Sequence, residues 1–514
     1  MDENSNNKKS FSQTIKGAIS GFISHWSTPK EGNEVPNKEI LTFSVGSMGL
    51  KTLTGMSNYI QLASTCVLTG TIYRLSPINI MILFIISTII GVAKVPIMSM
   101  IVDNTNTKWG KFRPYSIFAG IPAFIGVFGL CFFVPIDGSN VVKMVLIGIF
   151  YNIYAIAQGL LLAEYAGISQ VISSSTNERN KILAISEFLA NLGPSILQLA
   201  FPVFAALFFG DETGLTDIRS YRLLFPIFAG LSLGMMMLIL FFTKERAIIP
   251  KGTKENIKFM QGLKIISKNA DFWIVSTSRF FLGFKNALTL LLPWVCIYII
   301  KSSSAQGLIQ TAVSVAFTPG MILAPFLMKK LGNNKSAFIA FGANALAAAF
   351  MLATFKIHWA FFAVGLFLFN FAMGPQFIMQ KSITADALDE IQLQTGERIE
   401  GFAENFQMMF ETLGGVLSQL CFTAIYAKYG LGEDYTVLYN PDVLQPIIAW
   451  TIGLAIVASI LCAIPFLFSK MTPEKHEAII KELQARKAAQ EGTLEETPSE
   501  DSIPNAHQEI PAQE

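Results

Sequence analysis

At 514 residues, with 52% hydrophobic residues, 43 Phe, 14% charged residues and a mean hydropathy of +0.48, the chain carries more apolar surface than a soluble core can hide. A bilayer is therefore its solvent. The formal net charge of +2 and the short basic clusters between apolar runs leave no nucleic-acid footprint, and no nucleic-acid partner is expected.

Residues 1–38 are polar and contain no short apolar core followed by a small-residue cleavage site, so they read as a cytoplasmic tail and not as a signal peptide. Runs of about 20 apolar residues mark a crossing helix. They predict spans over 40–66, 78–102, 115–135, 143–170, 182–209 and 223–243, then 272–300, 305–328, 337–355, 359–384, 400–427 and 445–468. Of the 38 Lys and Arg, about 27 fall on the side of the two tails and about 7 opposite, which by the positive-inside rule puts both termini in the cytoplasm.

The basic stretch 244–270 divides six spans from six. The chain thus reads as an all-α integral membrane protein of 12 transmembrane helices in two six-helix halves. Its predicted parts are a tail over 1–38, one bundle over 39–243, a connecting loop over 244–270, a second bundle over 271–468 and a partly disordered tail over 469–514, beginning with a short amphipathic helix. A weak internal repeat agrees: Asn177-Glu178-Arg179 after span 4 matches Gly396-Glu397-Arg398 after span 10. The five cysteines stand singly in apolar runs and the four histidines lie in tails or at helix ends, so no metal site is expected.

Between spans 2 and 3 runs Asp103-Asn-Thr-Asn-Thr-Lys-Trp-Gly-Lys-Phe-Arg-Pro-Tyr115, and before span 11 run Ala385-Asp386-Ala-Leu-Asp389 and Thr395-Gly396-Glu397-Arg398-Ile-Glu400-Gly401. On these motifs residues 38–470 resemble the glycoside-pentoside-hexuronide cation symporters, the melibiose-carrier-like branch of the major facilitator superfamily. The resemblance implies the major facilitator fold, alternating access, a small sugar as substrate and a multi-pass place in the inner membrane. A monomer is expected. Asp103, Lys108, Gly110, Lys111, Arg113, Asp386, Asp389, Arg398 and Glu400 are then candidates for a cytoplasmic gate, with basic groups bridging to carboxylates when the inner face closes.

Ionisable groups inside spans are costly and mark functional surfaces. Here they are Lys51, Lys94, Glu164, Glu187, Arg279, Lys285, Glu404 and Glu411. Lys94, Arg279, Lys285, Glu404 and Glu411 form a candidate coupling or central charge network. Glu404, Gln407 and Glu411 stand at i, i+3 and i+7, which puts them on one face of span 11, expected to look into the cavity. Candidate substrate ligands are Lys51, Tyr59, Asn152, Gln158, Glu164, Tyr165, Glu187 and Gln407, which offer polar partners and an aromatic platform for a sugar.

The chain departs from the family pattern where cations bind. The two span 2 carboxylates expected of melibiose carriers fall at Gly91 and Val95, with Lys94 between them, which argues against a sodium site of that design. An acidic position of span 1 falls at Lys51 and a basic position of span 5 at Glu187, so a pair of reversed polarity is expected there. A structural alternative matches Lys94 to Glu164. The resemblance favours cation-coupled symport; H⁺ is then a possible coupling ion, since Glu164, Glu404 or Glu411 in an apolar cavity could exchange a proton during the cycle. An uncoupled facilitator, a membrane enzyme and a transporter-like sensor are the rival readings. No other cofactor is expected.

Overall fold

The computed structural model describes residues 24–105, 107–246, 259–396 and 399–495; the side chains of Val95 and Asp103, and Arg398 as a whole, fall outside the described residues. Among them, eleven helices are long and apolar enough to cross a membrane. The remaining span is Asn37–Gly55, whose 19 residues include Lys38, Glu39 and Lys51 and several Ser and Thr. Its composition hides it because it is lined by two other helices and sees little lipid.

The spans behind the predicted runs are Pro77–Asn104, Gly120–Phe132 with its short preceding turn Tyr115–Phe118, Asn140–Val171, Thr176–Phe209 and Ile218–Phe242 in the first half. The second half holds Ala270–Ile300, Ser303–Leu331, Asn333–Thr354, Trp359–Thr395, Glu400–Lys428 and Pro441–Phe468. Side chains such as Ile89 (64% exposed), Leu207 (71%) and Phe468 (72%) point away from the protein, the inside-out surface that only lipid can solvate.

Neighbour relations repeat between the halves. Span 1 packs on spans 5 and 6, span 3 on spans 4 and 6, and span 2 on span 4; span 7 packs on spans 11 and 12, span 9 on spans 10 and 12, and span 8 on span 10. Adding six to each number maps the first set onto the second. The halves meet through span 5 on span 8 and span 2 on span 11, a pair of contacts that the same operation exchanges. Parallel repeats of this kind place their shared interface around an axis along the membrane normal.

The first span of each half ends in the same irregular way. Span 1 breaks at Gly55 and continues as Ser57–Ile60 and a π turn, Val67–Ile72. Span 7 is a series of short helices, Ala270–Phe280, Leu282–Asn286 and Leu292–Trp294, closed by a second π turn, Val295–Ile300. Pro293 removes a backbone donor inside that series. Glycines let the adjoining helices approach: a Cβ on Gly414 would lie 1.8 Å from the Phe280 carbonyl oxygen, and one on Gly193 2.1 Å from Thr52 Oγ1.

Candidate functional site

Lys51 of span 1 and Glu187 of span 5 form an ion pair, as the reversed polarity of these two positions predicts. Lys51 Nζ also donates to Asn191 Oδ1 at 3.1 Å, one turn further along span 5, and lies 5.2 Å from the centre of the Tyr165 ring. That ring stacks on Phe43 with centroids 6.1 Å apart. The lysine side chain is 20% exposed and the glutamate 46%. A carboxylate that open at mid-span needs water, so the pair lines an aqueous cavity and does not face lipid. Charged groups beside an aromatic face are the elements that grip a sugar's hydroxyls and ring.

Across the interface, Arg279 of span 7 reaches Glu404 of span 11, with Nη1 and Nη2 at 3.3 and 3.4 Å from the same oxygen. The arginine is buried and the glutamate side chain 52% exposed. Glu411 stands two turns further along the same helix. The Arg279–Glu404 pair thus joins spans 7 and 11.

Other candidates are placed differently. Gln407 is fully buried and exchanges hydrogen bonds with Thr384 of span 10 at 3.3–3.4 Å, because the i+3 position turns about 60° away from Glu404 toward the neighbouring helix. Tyr59 donates to the Gln198 carbonyl at 3.3 Å inside a cluster with Phe201 and Phe225. Asn152 ties span 4 to Ser87 of span 2 at 3.0 Å, and Gln158 donates to the Thr54 carbonyl at 3.0 Å, where span 1 begins to unwind. These three polar groups hold helices together.

Lys94 and Glu164 do not pair. Lys94 Nζ donates to the Ala155 carbonyl at 2.6 Å, nine residues and roughly 13 Å of helix rise from Glu164. Glu164 is fully buried and accepts from Ser116. Lys285 also stands apart from the Arg279 network. It is 1% exposed, donates to Gln376 Oε1 at 2.7 Å and Asn344 Oδ1 at 3.3 Å, and is roofed by Phe341 and Phe369 at 5.2 and 5.7 Å. Neutral amides and ring faces hold this cation inside the second half.

The face that carries residues 24–36 and the helix Pro473–Glu495, here the terminal face, is organised in part by carboxylates that the sequence did not announce. Glu245, just after span 6, accepts the backbone N–H groups of Lys111, Phe112 and Arg113 at 2.9, 2.9 and 3.1 Å. Gly110, at φ +111°, makes room: a Cβ there would lie 2.4 Å from Glu245 Oε1. The Asp103–Tyr115 loop is thus a backbone cradle for an anion within its own half. Lys108 lies exposed in its turn. Arg246 binds Glu39 through both terminal nitrogens at 2.6 Å, and Glu178 takes the N–H groups of Glu34 and Val35 at 3.0–3.1 Å. On the second half, Asp386 accepts from Asn333 at 2.6 Å, Asp389 lies 3.2 Å from His476, and Glu400 opens span 11.

The MFS/sugar transport protein family matches residues 43–473. The chain belongs to this family. As an MFS transporter it is a multi-pass membrane protein and not an enzyme. It is 25% identical over 478 residues to a lactose permease of Leuconostoc lactis, covering 87% of this chain and 71% of that one. It is 22% identical over 391 residues to an isoprimeverose transporter of Lactiplantibacillus pentosus, covering 74% and 78%. Its fold matches a solved D-xylose-proton symporter with a TM-score of 0.58 at 15% identity, over 85% of this chain and 99% of that one. The major facilitator fold expected from the motifs is therefore the fold of this chain.

In an MFS transporter the bonds between halves report the state. Among the described residues they gather at the face opposite the terminal face: Thr71 to Tyr298 at 3.1 Å, joining the two π turns, Tyr435 Oη to the Leu75 carbonyl at 2.9 Å, and Ser304 N to Asp211 Oδ1 at 2.8 Å. The terminal-face bonds described above lie within one half. Among the described residues the bonds of Thr71, Tyr435 and Ser304 hold the two halves together on the opposite face.

Proposed function

We propose that this MFS transporter carries a small sugar or glycoside, of the glycoside, pentoside or hexuronide class, as a cation-coupled symporter of the cell's inner membrane. Both termini then lie in the cytoplasm and the state described is inward-facing. In this reading the bundles span 39–243 and 271–468, joined by 244–270, with tails over 1–38 and 469–514. The observation that carries the substrate assignment is the water-facing cluster of Lys51, Glu187, Asn191 and Tyr165: two charges, an amide and a ring within reach of one another. The sugar names of the relatives point the same way.

For coupling, the proposal is H⁺ exchange at Glu404 and Glu411. The single Arg279 guanidinium can neutralise one carboxylate while the other takes the proton, so proton binding and release would move the arginine between them. The doubt about sodium is supported at the two span 2 positions where carboxylates would be expected: Gly91 has open space beside it, and Lys94, between Gly91 and Val95, is tied to the Ala155 carbonyl.

The test is sugar binding by purified variants. Lys51→Met and Glu187→Gln each remove one charge-assisted partner, worth about 1.5–3 kcal/mol, and should weaken affinity by tenfold or more. Lys356→Ala, on the exposed opposite face, should bind as the parent does. Parent-like affinity in both cluster variants would remove this cluster from the site.

A further inference from the structure

The C-terminal helix Pro473–Glu495 begins five residues after span 12 and lies across the terminal end of span 10. Its contacts fall on the acidic run Asp386, Asp389 and Glu390. Lys475 Nζ is 2.6 Å from Glu390 Oε1, and His476 Nε2 stands between Asp389 at 3.2 Å and Asp386 at 3.5 Å. Arg486, more than two turns on, donates to the Leu393 carbonyl at 2.8 Å. Ile479 supplies the apolar side at 5% exposure.

Most of these anchors are constant in charge near neutrality; one is not. Histidine is the side chain whose charge changes between about pH 5 and 8. With a proton, His476 meets two carboxylates as a cation. Without it, the imidazole can satisfy at most one of them, and Asp386 and Asp389 face each other across it with Asp271 of span 7 adding to the negative field. The remaining charges around it are Glu390 on span 10, paired to Lys475, Glu474 and Glu477 on its own helix, with Lys481 paired to Glu477, and Lys335 at the start of span 9, which acts on Glu474. None of these cations lies between Asp386 and Asp389 as His476 does.

We propose that the acidic end of span 10 is a docking surface for the C-terminal helix whose hold is set by the charge on His476: firm with the imidazolium between the two carboxylates and loosened with the neutral ring. The helix docks where the terminal ends of several spans are already joined to span 10 and to the linker that precedes the helix. Asn333 and Asn334 at the start of span 9 bind Asp386 and the Met471 carbonyl at 2.6 and 3.0 Å, Ser469 after span 12 bonds Asp271 of span 7, and Asn269 reaches Glu390 at 3.1 Å. Loosening the helix releases its own hold on the terminal end of span 10, an end that must move when the terminal face closes, and leaves those bonds in place. This device rests on the fold and not on the substrate, so its failure would leave the sugar assignment standing.

The experiment is amide hydrogen exchange on the full chain in nanodiscs, following residues 473–486 and 386–395 at pH 6 and pH 8 after correction for the intrinsic rate. A partly exposed ion pair is worth up to about 1 kcal/mol, so opening of the helix should be about fivefold more frequent at pH 8. His476→Gln should abolish that difference, His476→Lys should hold the helix at both values, and Lys475→Ala should raise exchange at both while keeping the difference. A pH difference that survives His476→Gln, or equal protection of the parent at both pH values, would overturn the proposal. Unchanged protection of spans 9 and 12 in each variant separates undocking from misfolding.

Discussion

Removing the Glu245 carboxylate should loosen the family's loop motif by an amount the geometry sets. Its Oε1 takes two N–H groups, from Phe112 and Arg113, and its Oε2 takes one, from Lys111. In Glu245→Gln the amide oxygen keeps the first two bonds, while the new NH₂ opposes the Lys111 N–H donor to donor. One charge-assisted bond is lost and the charge behind the other two disappears. At this partly solvated site water offsets some of the loss, and about 1.5 kcal/mol is expected. That is roughly tenfold in the frequency with which the loop opens. Glu245→Ala loses all three bonds and should exceed hundredfold. Amide exchange over residues 110–116 reads this directly. Exchange there unchanged in both variants would refute the cradle and leave the loop held by its side chains.

Gly110→Ala should reproduce Glu245→Ala in the same assay, since a Cβ 2.4 Å from the carboxylate oxygen at φ +111° displaces the anion. Gly414→Ala places a Cβ 1.8 Å from the Phe280 carbonyl oxygen and must push span 7 from span 11. Overpacking of this kind costs about 1–3 kcal/mol, to be seen as a lower melting temperature, whereas Gly415→Ala meets nothing within 4 Å and should melt as the parent. Tyr298→Phe deletes the bond between the two π turns and should raise labelling, from the opposite face, of a cysteine placed at Thr65, a residue now 5% exposed.

The legible parts of the fold were those that follow from a single helix and its solvent. Eleven of the twelve predicted runs coincide with a helix long and apolar enough to cross, because lipid imposes length and apolarity on each span independently, while the run 40–66 holds the more polar helix Asn37–Gly55 and then breaks. The ends were less legible: span 10 continues to Thr395, well past the predicted 384, since its last turns are solvated and carry charge. The Lys51–Glu187 pair could be anticipated because two family positions reversed sign together. Glu404 and Arg279 meet because both are costly alone. What the sequence hid were partnerships between a carboxylate and a backbone. Nothing in Thr243-Lys-Glu-Arg246 announces that Glu245 will fill the loop two spans earlier, because N–H groups carry no sequence signature. Gln407 misled for the opposite reason: helical spacing fixes a face to within about 60°, and a neighbouring helix claimed that margin. Lys94 and Glu164 do not pair because Lys94 reaches span 4 at Ala155, nine residues along the helix from Glu164.

The measurement that bears most directly on the central claim is uptake of radiolabelled glycosides, pentosides and hexuronides into proteoliposomes of the purified chain, with proton and sodium gradients imposed separately. The account predicts accumulation of at least one sugar driven by an inward proton gradient, indifferent to sodium, and reduced to downhill equilibration in Glu404→Gln or Glu411→Gln. Accumulation that follows the sodium gradient alone, or flux of no sugar in the panel, would contradict it.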